Sequence, residues 1–244
     1  MSPRKKNHAT VAELEEELIC GSFTKRDAAQ RIAKGVRHLH SSPLGDRDAC
    51  ARVALECLQR KKALSFPWEP SDAGTLQVGS SAERVRAIQE VIERCGLTGK
   101  RGLKDRAIGI LEELVSNAIF HAYHHPDGEP KYSRRDAVIL NKEEKVAVSF
   151  KATDGGLYLS VTDRGGSFRF EQVAKSFGRC YGNSIDQIET KEGGAGLGTY
   201  MTFELCTHLK YVSVGGQATT ASCWIADKAA FDPDIFSFNF FEWR

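Results

Sequence analysis

"KVAVSFKATDGGLYLSVTD", residues 145–163, decides the fold. Val146, Val148 and Phe150 alternate with Ala147, Ser149 and Lys151. Beyond "DGG", Leu157, Leu159 and Val161 alternate with Tyr158, Ser160 and Thr162. Alternation with period two is the signature of a half-buried strand, and two such runs around a glycine turn predict a β-hairpin. A second pair, "KYVSV" and "TTASCWIA" around "GGQ" (210–226), repeats the pattern. Antiparallel hairpins are incompatible with a doubly wound parallel sheet.

Upstream, "TLQVGS" predicts a short strand and "SAERVRAIQEVIERCG" a helix, with Val85, Ile88, Val91 and Ile92 on its apolar face and Gly96 closing it. "LKDRAIGILEELVSNAIFHAY" predicts a longer helix, and "HHPDGEPKYSRRD" a loop. Residues 168–193 form a polar, mixed stretch. "GLGTYMTFELCTHL" predicts another helix. The order β-α-α-β-β-loop-α-β-β segregates helices from a mixed or antiparallel sheet. The expected class is α+β, a two-layer sandwich.

Residues 10–64 look helical. "RDAAQRIA" (26–33) and "RDACARVA" (47–54) echo one another with a period of 21, which predicts two similar amphipathic helices packed together. "SFPWEPSDAG" holds two prolines and turn formers, and the boundary is placed there. The expected organisation is a helical segment over 1–70, a domain over 71–228 and an aromatic-rich tail over 229–244. The tail "FDPDIFSFNFFEWR" either folds back onto the chain or meets a partner, and it leaves a homodimer open.

Hydrophobic residues make up 41% and charged residues 27% of the 244, enough apolar content for a real core. A net charge of +2 is far from the basic balance of a dedicated nucleic-acid binder, so no direct nucleic-acid contact is expected. The seven cysteines are scattered and never spaced as CxxC, which argues against disulfides and zinc. No stretch has the length and apolarity of a membrane helix. The expected location is the cytoplasm, with no membrane association.

Three motifs carry chemistry. In "EELVSNAIFHAYHH" (112–125), Glu113, Asn117 and His121 fall four apart, on one helical face. That face meets either water or a ligand. An amide oxygen is a hard ligand suited to Mg²⁺, and a carboxylate one turn away can orient or deprotonate a nucleophile. In "VTDRGGSF" (161–168), a strand ends in Asp163 and two glycines permit a tight turn. A buried Asp there needs a donor, and a purine amino group could supply one. "GGAGLG" (193–198) leads into a helix, where its exposed N–H groups offer an anion site. It ends in neither a Walker-type Lys nor a dinucleotide fingerprint.

In this order the three resemble the GHKL ATP-binding family: "EELVSNAIFHA" its N box, "DRGGSF" its adenine-contacting box, "GGAGLGTYM" its second glycine box. The resemblance spans about residues 74–226 and is strongest to the anti-sigma-factor serine kinases of bacterial partner-switching systems. Ser167 stands where the general Asp-X-Gly-X-Gly pattern has glycine. The resemblance implies a Bergerat-type sandwich binding ATP and Mg²⁺. It implies Asn117 as metal ligand, Glu113 as general base, and Asp163 as acceptor from the adenine amino group, with Gly165 shaping its turn. It implies Gly194, Gly196, Leu197 and Gly198 at the phosphates. Thr219 or Thr220, with Thr220 preferred, adds an adenine-side hydroxyl, and Lys191 is the nearest lid cation. His121 is assigned a packing or hydrogen-bonding role, not a catalytic one. The implied activity is phosphorylation of a small antagonist protein, with that antagonist, a sigma factor, or both as partners. The alternative is a catalytically slow ATP-binding module that sequesters a partner. A sensor histidine kinase is disfavoured, because His38 and His40 fall at a predicted helix end and not in a phosphoacceptor hairpin.

Overall fold

The structure is a computed structural model that describes residues 18–41, 48–181, 197–228 and 234–243. In chain order its elements are β1 (Leu18–Gly21), α1 (Lys25–Ala33), β2 (His38–Ser41), α2 (Ala49–Arg60), β3 (Gly74–Val78), α3 (Glu83–Arg94) and α4 (Arg101–Phe120). They continue with β4 (Val146–Thr153), β5 (Gly156–Asp163), α5 (Phe170–Tyr181), α6 (Gly198–Leu205), β6 (His208–Val214), β7 (Ala218–Ala226) and β8 (Ser237–Trp243). The strands form one mixed sheet in the order β1-β2-β8-β6-β7-β5-β4-β3. β1 with β2 and β6 with β8 are parallel; the other pairs are antiparallel. Both predicted hairpins, β4–β5 and β6–β7, are present, and the architecture is an α+β sandwich.

α4 is the central helix. It buries Leu103, Ala107, Ile110, Leu111, Leu114, Val115, Ala118 and Ile119, a swath too wide for a surface helix. It packs between β5 and α3, and α6 lies alongside it. α3 buries Ala87, Ile88, Val91 and Ile92. Val85, expected on that face, is 51% exposed.

The N-terminal segment departs from the helical expectation. "LICG" and "HLHS" are strands β1 and β2, and they extend the sheet at one edge. His38 and His40 are therefore buried strand residues, not helix-end residues. The two echoing helices do not share a cluster either. Ala28, Ala29 and Ile32 of α1 join the main core, whereas Ala54 and Cys57 of α2 pack with Phe66 and Phe241. Phe238 and Phe240 belong to the first cluster and Phe241 to the second, so these two clusters lie on opposite faces of β8. The shared "RDA" also caps differently. Asp27 is the third helical residue, completing a capping box with Thr24, whereas Asp48 is itself the cap and accepts from the Ala51 N–H at 2.9 Å.

The tail folds back onto the chain. β8 inserts between β2 and β6, and Phe236, Phe238, Phe240 and Phe241 are each about 1% exposed or less. These four of the aromatic residues that suggested a partner surface thus line this chain's own core, while Phe231 lies outside the described residues. The stretch after Phe168, expected to be irregular, contains α5, whose Phe170, Val173 and Phe177 are buried. Among the described residues, no helix is long and apolar enough to cross a membrane.

Candidate functional site

A cavity of about 570 Å³ opens between α4, the C-terminal end of β5, α5 and the start of α6. Glu113 and Asn117 line it from α4, Asp163 from β5, and Leu197 and Gly198 from the opposite rim. Residues separated by up to 108 positions, Glu113 to Ala221, thus converge on one space.

Glu113 and Asn117 are half-buried and joined, the Asn117 Nδ2 donating to Glu113 Oε1 at 2.6 Å. That bond orients the amide and leaves its Oδ1 as the free acceptor side, where Arg134 Nη2 donates at 3.2 Å. Gly198 begins α6 directly against the carboxylate. A Cβ there would lie 1.8 Å from Glu113 Cδ, so only glycine admits this approach. The N-terminal end of α6, with its partial positive charge, therefore abuts Glu113.

Asp163 is buried at the end of β5. One of its oxygens accepts from the Gly165 N–H at 2.8 Å and the Gly166 N–H at 3.2 Å. Burial pushes its carboxyl up to about 6, and the hydrogen bonds from Gly165, Gly166 and Thr219 oppose that shift without cancelling it. The turn needs both glycines. A Cβ on Gly165 would fall 1.9 Å from the Ala122 carbonyl oxygen. Gly166 has a φ of 58° and would meet the Val214 oxygen at 2.2 Å. Ser167, the departure from the glycine pattern, donates to the His121 carbonyl at 3.0 Å and ties this turn to the end of α4. His121 itself lies exposed at the rim of the cavity.

One expected residue moves by one position. Thr220 pairs with Thr162 and shares a hydroxyl–hydroxyl bond with it at 3.0 Å, outside the cavity lining. Thr219 pairs with Asp163 and lines the cavity, and its buried Oγ1 has no hydrogen-bond partner. Strand alternation puts only one of the two neighbours on Asp163's face, and it is Thr219. Ser176 of α5 presents a second buried, unpartnered hydroxyl to the same space. Its helix is signalled by Phe170, Val173, Ala174 and Phe177 at helical spacing. Nothing in the sequence marks Arg134, whose approach to Asn117 is a tertiary contact. Lys191, Gly194 and Gly196 lie outside the described residues.

The donor set fits an adenine nucleotide. A buried carboxylate and an unpartnered hydroxyl stand together at one end, suited to a purine edge. A hard amide oxygen, a carboxylate and a helix N-terminus stand at the other, suited to phosphate and a divalent cation. Among the described residues no cluster of three or more His, Cys, Asp or Glu side chains could hold a metal unaided. A cation here would need ligand oxygens beyond the side chains, as Mg²⁺ takes from phosphates.

Comparison with known proteins agrees with this geometry. Residues 102–228 match the family described as histidine kinase-, DNA gyrase B- and HSP90-like ATPases. A curated relative, the serine-protein kinase RsbW of Bacillus pumilus, is 30% identical over 137 residues, which cover 55% of this chain and 68% of the relative.

Proposed function

Because the chain belongs to the family of histidine kinase-, DNA gyrase B- and HSP90-like ATPases, we propose that it is an ATP-dependent protein serine/threonine kinase of the anti-sigma-factor type. In this reading it works in the cytoplasm and phosphorylates a small antagonist protein in a partner-switching system. The observation that carries the reading is the convergence of Glu113, Asn117, Asp163 and Gly198 on one cavity, with the Glu113 carboxylate held by Asn117.

Each residue has a part. Asp163 accepts from the exocyclic amino group of adenine, and the Thr219 hydroxyl, which no protein group bonds, completes the purine edge. Asn117 Oδ1 would hold Mg²⁺, which supplies neutralisation of phosphate charge when bound. Glu113 accepts the proton of the incoming serine or threonine hydroxyl as its oxygen bonds to the γ-phosphorus, while the bond to the β,γ-bridging oxygen breaks and ADP leaves. Lys191, Gly194 and Gly196 are assigned to the phosphate side on resemblance alone.

The test is phosphotransfer from radiolabelled ATP to candidate antagonists by purified protein. Glu113→Gln should keep nucleotide binding and lower transfer by roughly a hundredfold or more, the scale of a positioned general base. ATP binding with neither transfer nor hydrolysis in the wild type would instead support the second reading, a slow, partner-sequestering module.

A further inference from the structure

The loop between α4 and β4 has no role in the reading above, yet it reaches into the cavity. Arg134 is the only Arg or Lys among the described residues lining it. The loop is braced at its base. The Lys131 N–H donates to the Tyr123 carbonyl at 2.9 Å. Lys131 Nζ and the Tyr132 hydroxyl both close on the carboxylate of Glu144, the hydroxyl at 2.6 Å. The Tyr123 and Tyr132 rings meet edge-to-face at 6.4 Å, and the Tyr123 hydroxyl accepts from the Arg164 N–H, one residue beyond Asp163. Arg134 follows two residues after this anchorage and donates to Asn117 Oδ1 at 3.2 Å.

The charge balance of the cavity gives that contact a meaning. The described wall carries two carboxylates, Glu113 and Asp163, against one guanidinium. A triphosphate seated beside Glu113 needs a fixed cation to offset the repulsion. Arg134 bonds Asn117, and so stands at the Asn117–Glu113 end of the cavity. Its partner, Asn117 Oδ1, is also the atom assigned to the metal. A cation held there would compete with the guanidinium for that oxygen, and a displaced guanidinium would have its donors free for the neighbouring phosphate.

Resting on the ATP-binding reading of this site, we propose that Arg134 recognises the γ-phosphate. It guards Asn117 before nucleotide binds and exchanges that bond for the terminal phosphate of ATP, so that the pocket distinguishes ATP from ADP. Its planar fork suits two phosphate oxygens, which a lysine cannot match.

The test is calorimetric titration of the full chain with Mg²⁺ and either ADP or a non-hydrolysable ATP analogue. Wild type, R134A, R134K and R135A are compared, with circular dichroism verifying the fold of each. Wild type should prefer the ATP analogue. R134A should weaken the analogue roughly tenfold to a hundredfold, the scale of a charge-assisted hydrogen bond, and leave ADP binding no weaker than in wild type. R134K should fall between, and R135A, which removes the adjacent charge, should match wild type. If wild type binds both nucleotides and R134A leaves their ratio unchanged, the proposal falls and the nucleotide pocket stands. Equal wild-type affinity for both, or an equal effect of R134A and R135A, also overturns it. If wild type binds neither, the ATP reading fails and takes this proposal with it.

Discussion

Thr219 and Thr220 are adjacent in sequence and opposite in environment, which makes them a test of the proposed purine site at single-residue resolution. Thr219 Oγ1 is buried and unpartnered beside Asp163, while Thr220 Oγ1 is satisfied by Thr162. Thr219→Val should cost the pocket one hydrogen bond and weaken ATP binding about threefold to tenfold, with little loss of stability because no protein group bonds that hydroxyl. Thr220→Val should leave affinity unchanged and lower stability by about 1 kcal/mol, because it strands the Thr162 hydroxyl. Titration and thermal denaturation of both variants decide it; the reverse pattern would return the role to Thr220. The sequence brought this choice down to two neighbours and no further. Which threonine faces Asp163 depends on the register of β5 against β7, a pairing across 56 residues from Asp163 to Thr219 that no local pattern encodes. Glu113 and Asn117 were legible for the opposite reason, since their shared face follows from helix periodicity alone.

At the scale of elements, glycine propensity and glycine packing make opposed predictions, and magnitude separates them. Gly198 and Gly178 both lie in helices, α6 and α5. Alanine is worth up to about 1 kcal/mol over glycine in a helix interior. At Gly178 nothing stands within 4 Å of an added Cβ, so Gly178→Ala should raise stability by roughly 0.5–1 kcal/mol. At Gly198 the added carbon would fall 1.8 Å from the Glu113 carboxylate, far inside contact distance. Gly198→Ala should therefore push α6 away from α4 and abolish detectable transfer while the chain remains folded. Parallel transfer assays and melting curves check both; wild-type transfer by Gly198→Ala would remove the close approach from the site. Elements divide in the same way in what the sequence reveals. The hairpins alternate over eight residues and declare themselves. β1 and β2 have only four residues each, too few for a period, and exist because β8 offers β2 an edge. The signal for α5 was present in Phe170, Val173, Ala174 and Phe177, but the polar residues between them obscured it.

At the scale of the whole molecule, the extra strands bring polar groups into the interior, and these set its response to acid. Lys210 and Glu69, 6% and 9% exposed, pair beneath the rings of Phe66 and Trp68. Nearby, His38 Nδ1 and His40 Nε2 both bond Asn239 Oδ1, at 3.1 and 3.0 Å, which makes each of those ring nitrogens the donor. His208 Nδ1 bonds Ser237 at 2.9 Å. Burial lowers all three histidines, His38 and His208 to about 3 and His40 to about 4, from 6.5 when exposed. Below 6.5 the unfolded chain therefore binds protons that the folded chain refuses. The stabilisation is complete above that pH and is lost as pH falls. At pH 5.5, about one unit below the unfolded value, each histidine costs roughly 1 kcal/mol or slightly more, together about 4. Asp163 acts in the opposite sense, because its folded value of about 6 lies above its usual 3.8, and protonation there returns roughly 1 kcal/mol at the same pH. The three histidines outweigh the one carboxylate. Urea denaturation should show a stability about 3 kcal/mol lower at pH 5.5 than at pH 7.5. Asp163→Asn should make that drop steeper by removing the opposing group. Equal stability at the two pH values would mean that these histidines titrate freely, and that β2 and β8 do not seal them from water.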